Sequence, residues 1–69
     1  MFELTPLQFE IASMMVFDMS DEQIAAALSI SQEQLEREIE AIQQELHARS
    51  RVGIVVAVLQ NEIGMRKPG

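Results

Sequence analysis

Sixty-nine residues with a formal net charge of −6 make one small acidic domain, residues 1–69, and no more. Cysteine is absent and His47 is the single histidine, which excludes a disulfide, a thiolate metal site and any nucleophile–base pair of an enzyme. A surface of this sign is repelled by phosphate backbones and by anionic lipid, and it suits protein partners, above all basic ones.

The apolar share of 48 % is that of a folded chain. Aromatic volume is scarce, with three Phe, and five Met supply adaptable filling. No metal and no cofactor is expected, so the staple left for so small a core is a partner subunit. Met1 is followed by Phe-Glu-Leu-Thr-Pro and not by a basic and then an apolar region, so no leader is expected. The longest apolar run, Ile54–Leu59, is far short of the roughly 20 residues that span a membrane. The expected compartment is the cytoplasm.

Thr5-Pro6-Leu7-Gln8 opens a first helix over about 5–17. Thr5 caps it, Pro6 needs no N–H partner at the first position, and Gln8 completes a capping box. Leu7, Ile11, Met14 and Met15 follow at helical spacing, with Phe9 and Ala12 beside them. Asp18 is the expected left-handed residue at its end. Ser20-Asp21-Glu22-Gln23 is a second capping box and opens a helix over about 20–28, its two acids facing the positive end of the helix dipole. Ile24, Ala27 and Leu28 form the inward face, and Ala25 and Ala26 admit close approach by another helix.

Ser29-Ile30-Ser31 reads as a tight turn with Ile30 as the apolar plug beneath it. Ser31-Gln32-Glu33-Gln34 is a third capping box and opens a third helix over about 31–46. Leu35, Ile39, Ile42 and Leu46 fall at i, i+4, i+7 and i+11, one apolar stripe. The opposite face carries Glu33, Glu36, Glu38, Glu40 and Glu45 against Arg37 alone, with Glu33–Arg37 an i,i+4 pair. His47-Ala48-Arg49 is a connector, His47 a surface residue favoured by the helix dipole. Ser50 caps a fourth helix over about 50–64, apolar on more than one side, which leaves one side in need of cover. Val55-Val56-Ala57-Val58 also suits a buried strand, but a lone strand finds no partner elsewhere in the chain, so helix is preferred. Residues 65–69 read as a frayed, mildly basic tail.

Two short helices across a tight turn, the second the longer, form a helix-turn-helix. Leu4-Thr5-Pro6, then Ser20-x-x-Gln23-Ile24-Ala25-x-x-Leu28-x-Ile30-Ser31, then Leu46-x-Ala48-x-Ser50-Arg51 resembles the LuxR-type (GerE-like) family, in register over about residues 4–64. The front half also resembles the promoter-reading region of bacterial sigma factors; Leu46–Arg51 favours the LuxR type. The resemblance implies an all-α, four-helix domain whose third helix reads the DNA major groove and whose fourth makes a homodimer. It also implies a module that is usually the output end of a longer receptor; here it is expected to stand alone.

The third helix departs from the family where the family meets DNA. Glu36 and Glu40 stand where basic residues are usual, Glu38 where His is frequent, Gln44 and Glu45 where Lys is usual, Gln34 where Thr is usual, and Asp18 replaces a Gly. A change from Lys to Glu there removes a favourable phosphate contact and adds repulsion. The expected role is a regulator of transcription that is poor at DNA and acts through protein contacts, as an anti-activator or co-regulator of a LuxR-type regulator or another basic protein. The alternative is a conventional DNA-binding dimer, since one Glu can accept from cytosine. On either reading the working face is Gln32, Glu33, Glu36, Arg37, Glu40 and Gln44, and the dimer contact is Val52, Val55, Val56, Leu59 and Ile63.

Overall fold

The computed structural model describes residues 1–65. Four helices and two short strands follow in chain order: β1 Phe2–Leu4, α1 Pro6–Val16, α2 Asp21–Leu28, α3 Gln32–Leu46, α4 Arg51–Leu59 and β2 Ile63–Met65. The all-α, four-helix expectation holds. The helices pack into a body of 30 × 29 × 18 Å, with α1 laid chiefly on α4 and α3 touching every other helix and β1.

Local chemistry sets the helix starts. Thr5 and Ser20 make full capping boxes: each hydroxyl accepts from the backbone N–H three residues on, and the Gln8 and Gln23 side chains accept from the cap N–H in return. The third box forms by half. Ser31 Oγ accepts from the Gln34 N–H at 3.0 Å, and no bond returns from the Gln34 side chain. Ser50 sits at the cap of α4 without a side-chain bond, so its expected hydroxyl cap does not form.

All four helices end alike, in a non-glycine residue with left-handed backbone: Asp18 (φ 58°), Ser29 (φ 56°), His47 (φ 54°) and Asn61 (φ 57°). After each, the next N–H reaches back to the carbonyl five residues earlier: Met19 to Met14, Ile30 to Ala25, Ala48 to Gln43 and Glu62 to Ala57. This closure satisfies carbonyls that the helix leaves open. After the first three helices it also turns the chain sharply enough to start a new helix within three or four residues.

The core is a single apolar cluster fed by every element. Leu4, Ile11, Ala12, Leu35, Ile42 and Ile54 are fully buried, with Ile24, Ile39, Leu46 and Ala57 close behind. The expected stripe of α3 is wholly inside. On α2 the buried pair is Ile24 and Ala25 with Leu28 packed beside them, and Ala27, expected inside, is exposed, because the helical turn places it on the other side of Ile24 from that arc. At the start of α4 a Cβ on Gly53 would stand 2.8 Å from Ala48 Cβ, so the α3–α4 connector needs glycine there.

The fourth helix stops earlier than expected. It ends at Leu59, not at 64, because Asn61 turns left-handed and the Glu62 N–H closes on Ala57. Residues Ile63–Met65, the last within the expected frayed tail, then form a strand parallel to Phe2–Leu4, in register Phe2–Ile63, Glu3–Gly64 and Leu4–Met65. The two described ends of the chain are thereby tied together. Residues 66–69 of that tail lie outside the described residues. Among the described residues, no helix is long and apolar enough to cross a membrane.

Candidate functional site

The helix-turn-helix is α2, the Ser29–Ser31 turn and α3. Ser29 reverses the chain and Ile30 is half-buried against the core, as a plug under the turn. With the row Leu35, Ile39, Ile42 and Leu46 buried, a second row two residues out of step must point away. That row is Glu33, Arg37, Glu40 and Gln44, also at i, i+4, i+7 and i+11. Glu36 and Gln32 flank it. All six are exposed, so the structure brings the six expected residues of the working face onto one open helix surface.

The five glutamates of α3 divide into two sets. Glu38 is half-buried and its Oε1 accepts from Gln8 Nε2 at 3.0 Å, which ties α3 to α1. Glu45 Oε2 lies 3.4 Å from the backbone N of Glu3 and covers an N–H on the free edge of β1. These two acids serve the fold. Glu33, Glu36 and Glu40 make no side-chain bond among the described residues, and the expected Glu33–Arg37 pair does not close to within 4.0 Å. The open face therefore carries three carboxylates and one guanidinium. Gln34 is half-buried at the edge of this face.

A second set of polar residues braces the motif. Arg51, the first residue of α4, donates from both terminal nitrogens to the Asp21 carboxylate, at 2.6 and 2.7 Å. This fork is the one ion pair among the described residues, and it fixes the start of α2 against the start of α4. The bond to Arg51 holds the Asp21 carboxyl below its ordinary value, and the same bond raises Arg51. The pairing was not legible beforehand: Asp21 reads as a dipole partner, and nothing in the spacing joins it to Arg51.

Of the five expected dimer residues, Val52, Val56 and Leu59 share an open face of α4, at 69, 42 and 67 % exposure, with Val55 half-buried alongside. Ile63 does not belong with them. It lies on β2, 7 % exposed in the core, because the helix that would have carried it has already ended.

The sequence model of the family described as "Bacterial regulatory proteins, luxR family" (GerE) matches residues 3–58, from β1 to the last turn of α4. This chain belongs to that family. The match takes in the whole LuxR-type helix-turn-helix, α3 included, and stops short of β2. Domains of the LuxR family are regulatory DNA-binding domains, not enzymes. Comparison with individual curated proteins gives no significant match. Within the LuxR frame, Glu33, Glu36 and Glu40 occupy the outward side of the helix that follows the turn.

Proposed function

We propose that this LuxR-family chain regulates transcription in the cytoplasm through protein contacts, as an antagonist or co-regulator of a DNA-binding regulator, and that it binds DNA poorly. The observation that carries the reading is the open row of α3, with Glu33, Glu36 and Glu40 exposed around a single Arg37. A DNA reader in this position needs cations to neutralise phosphates; here approach to a duplex brings carboxylates against them. The same face complements a basic surface, and charge of opposite sign speeds encounter with it. The partner is accordingly a LuxR-type regulator or another basic protein. Val52, Val56 and Leu59, with Val55 beside them, are the surface for a homodimer through α4.

The test is displacement. The chain is titrated into a complex of labelled operator with the isolated DNA-binding domain of a LuxR-type regulator. Release of operator at low salt, reversed by added salt, supports the reading. Unchanged operator occupancy at a hundredfold excess, for every LuxR-type regulator of the same cell, counts against it. The second reading, a conventional DNA-binding dimer, is favoured by the intact helix-turn-helix scaffold over residues 3–58. In it Glu36 or Glu40 accepts from cytosine N4 and the phosphate contacts come from elsewhere.

A further inference from the structure

Away from α3 and α4, the surface has a second apolar feature. Between α1 and α2 lies an open groove of about 480 Å³ lined by Phe9, Ser13, Met14, Phe17, Ala27 and Leu28. Phe17, at the α1 C-terminus, stands 79 % exposed at one end of it. An aromatic ring left in water beside an apolar channel is unfavourable for a free chain and suits one that is covered in use.

Charge decides between the occupants. Glu10 lines the groove, and no Lys or Arg does; Asp18, the residue after Phe17, lines a separate cleft with Arg51. A second copy seated groove to groove would bring Glu10 against Glu10 without a counter-charge among the lining residues. A cationic partner would meet Glu10 with one.

We propose that the α1–α2 groove is a docking site for an amphipathic helix of another protein, which seats a large apolar side chain beside Phe17 and sets Lys or Arg against Glu10. This is helix-in-groove recognition. It is independent of what α3 contacts. The groove takes one or two anchor side chains, so the complex is of the weak, transient class.

The probe is an 18-residue helical peptide of leucine and lysine at 3.6-residue spacing, titrated into the ¹⁵N-labelled full chain. A control peptide keeps the lysines and replaces leucine by alanine. The expected shifts cluster at the amides of Phe9, Ser13, Phe17 and Ala27, with the control weaker by about tenfold. Phe17→Ala and Ala27→Arg both alter exposed positions, and each is expected to keep the native spectrum and to lose about tenfold in affinity, the scale of one anchor residue. Shifts confined to Glu33–Gln44, or equal binding by both variants, overturn the proposal. So does self-association of the free chain that Phe17→Ala abolishes, which assigns the groove to a second copy.

Discussion

Ile63→Ala separates a core residue from a dimer residue. The side chain is 7 % exposed and belongs to the apolar cluster with Leu4 and Ile54, so truncation leaves a cavity as well as losing buried surface. Large-to-small changes of this kind cost about 2–5 kcal/mol. Because Ile63 sits on a three-residue strand, the site relaxes easily, and the lower half of that range applies, about 2–3 kcal/mol. A domain of this length holds roughly 3–10 kcal/mol in all, so the variant loses about a fifth or more of its stability. The thermal midpoint should fall by about 10–20 °C. Urea unfolding followed by circular dichroism reads the loss, with the m-value unchanged. Sedimentation velocity on the same samples should show the oligomeric state unaltered below the transition. Leu59→Ala, at a position 67 % exposed on α4, is the control and should change stability by less than about 0.5 kcal/mol. A loss below about 0.5 kcal/mol for Ile63→Ala, or a variant that remains folded but changes its oligomeric state, would refute the core assignment.

Three further outcomes follow from the same geometry. Val56→Glu puts a charge at the centre of the open α4 face, and light scattering should find a folded monomer; an unchanged dimer would remove that face from the interface. Changing Glu33, Glu36 and Glu40 together to Lys leaves every observed side-chain bond intact, so the fold should persist and DNA affinity should appear. With about three phosphate contacts per monomer, its affinity should then fall about 40-fold between 50 and 200 mM salt, and about 2,000-fold for a dimer; a folded variant with no affinity at 50 mM salt would show that the acids are not what excludes DNA. Asp21 is held below its ordinary value by Arg51, so its contribution is complete above about pH 4 and fades as pH falls through the lowered value. Asp21→Asn should therefore lose at most about 1 kcal/mol at pH 7 for this exposed pair, and the gap to the parent should close in acid; a gap constant from pH 7 to pH 2 would contradict the pairing.

Much of the fold is written in short-range chemistry. The stripe Leu35, Ile39, Ile42 and Leu46 is buried as its spacing requires, and Asp18 takes the left-handed backbone its position suggests. Thr5–Gln8 and Ser20–Gln23 form full boxes; Ser31–Gln34 does so only in part. The end of α4 was not readable from periodicity, because Val52, Val56, Leu59 and Ile63 continue the i, i+4, i+7, i+11 pattern straight through the point where the helix stops. Asn61 is the local signal for that stop, a residue that tolerates positive φ. The β1–β2 pair joins residues some sixty positions apart through three-residue strands, too short to leave an alternating pattern.

The candidate site was legible in its members and not in its partition. Sequence counts five glutamates on α3 as one acidic face. Packing takes Glu38 for Gln8 and Glu45 for the edge of β1, and leaves Glu33, Glu36 and Glu40 as the charge any partner meets. The excess of negative charge on the open face is thus smaller than the composition of the helix implies. It is still of the wrong sign for a phosphate backbone.

Fluorescence anisotropy of the unmodified chain with random duplex DNA at 50 mM salt tests that central claim most directly. Non-specific binding by DNA-binding proteins ordinarily lies near 10⁻⁴ to 10⁻⁶ M even at physiological salt. The acidic face of α3 predicts a Kd weaker than about 100 µM and no measurable salt slope. Micromolar affinity that falls steeply as salt is raised would contradict it and return α3 to the role of DNA reader.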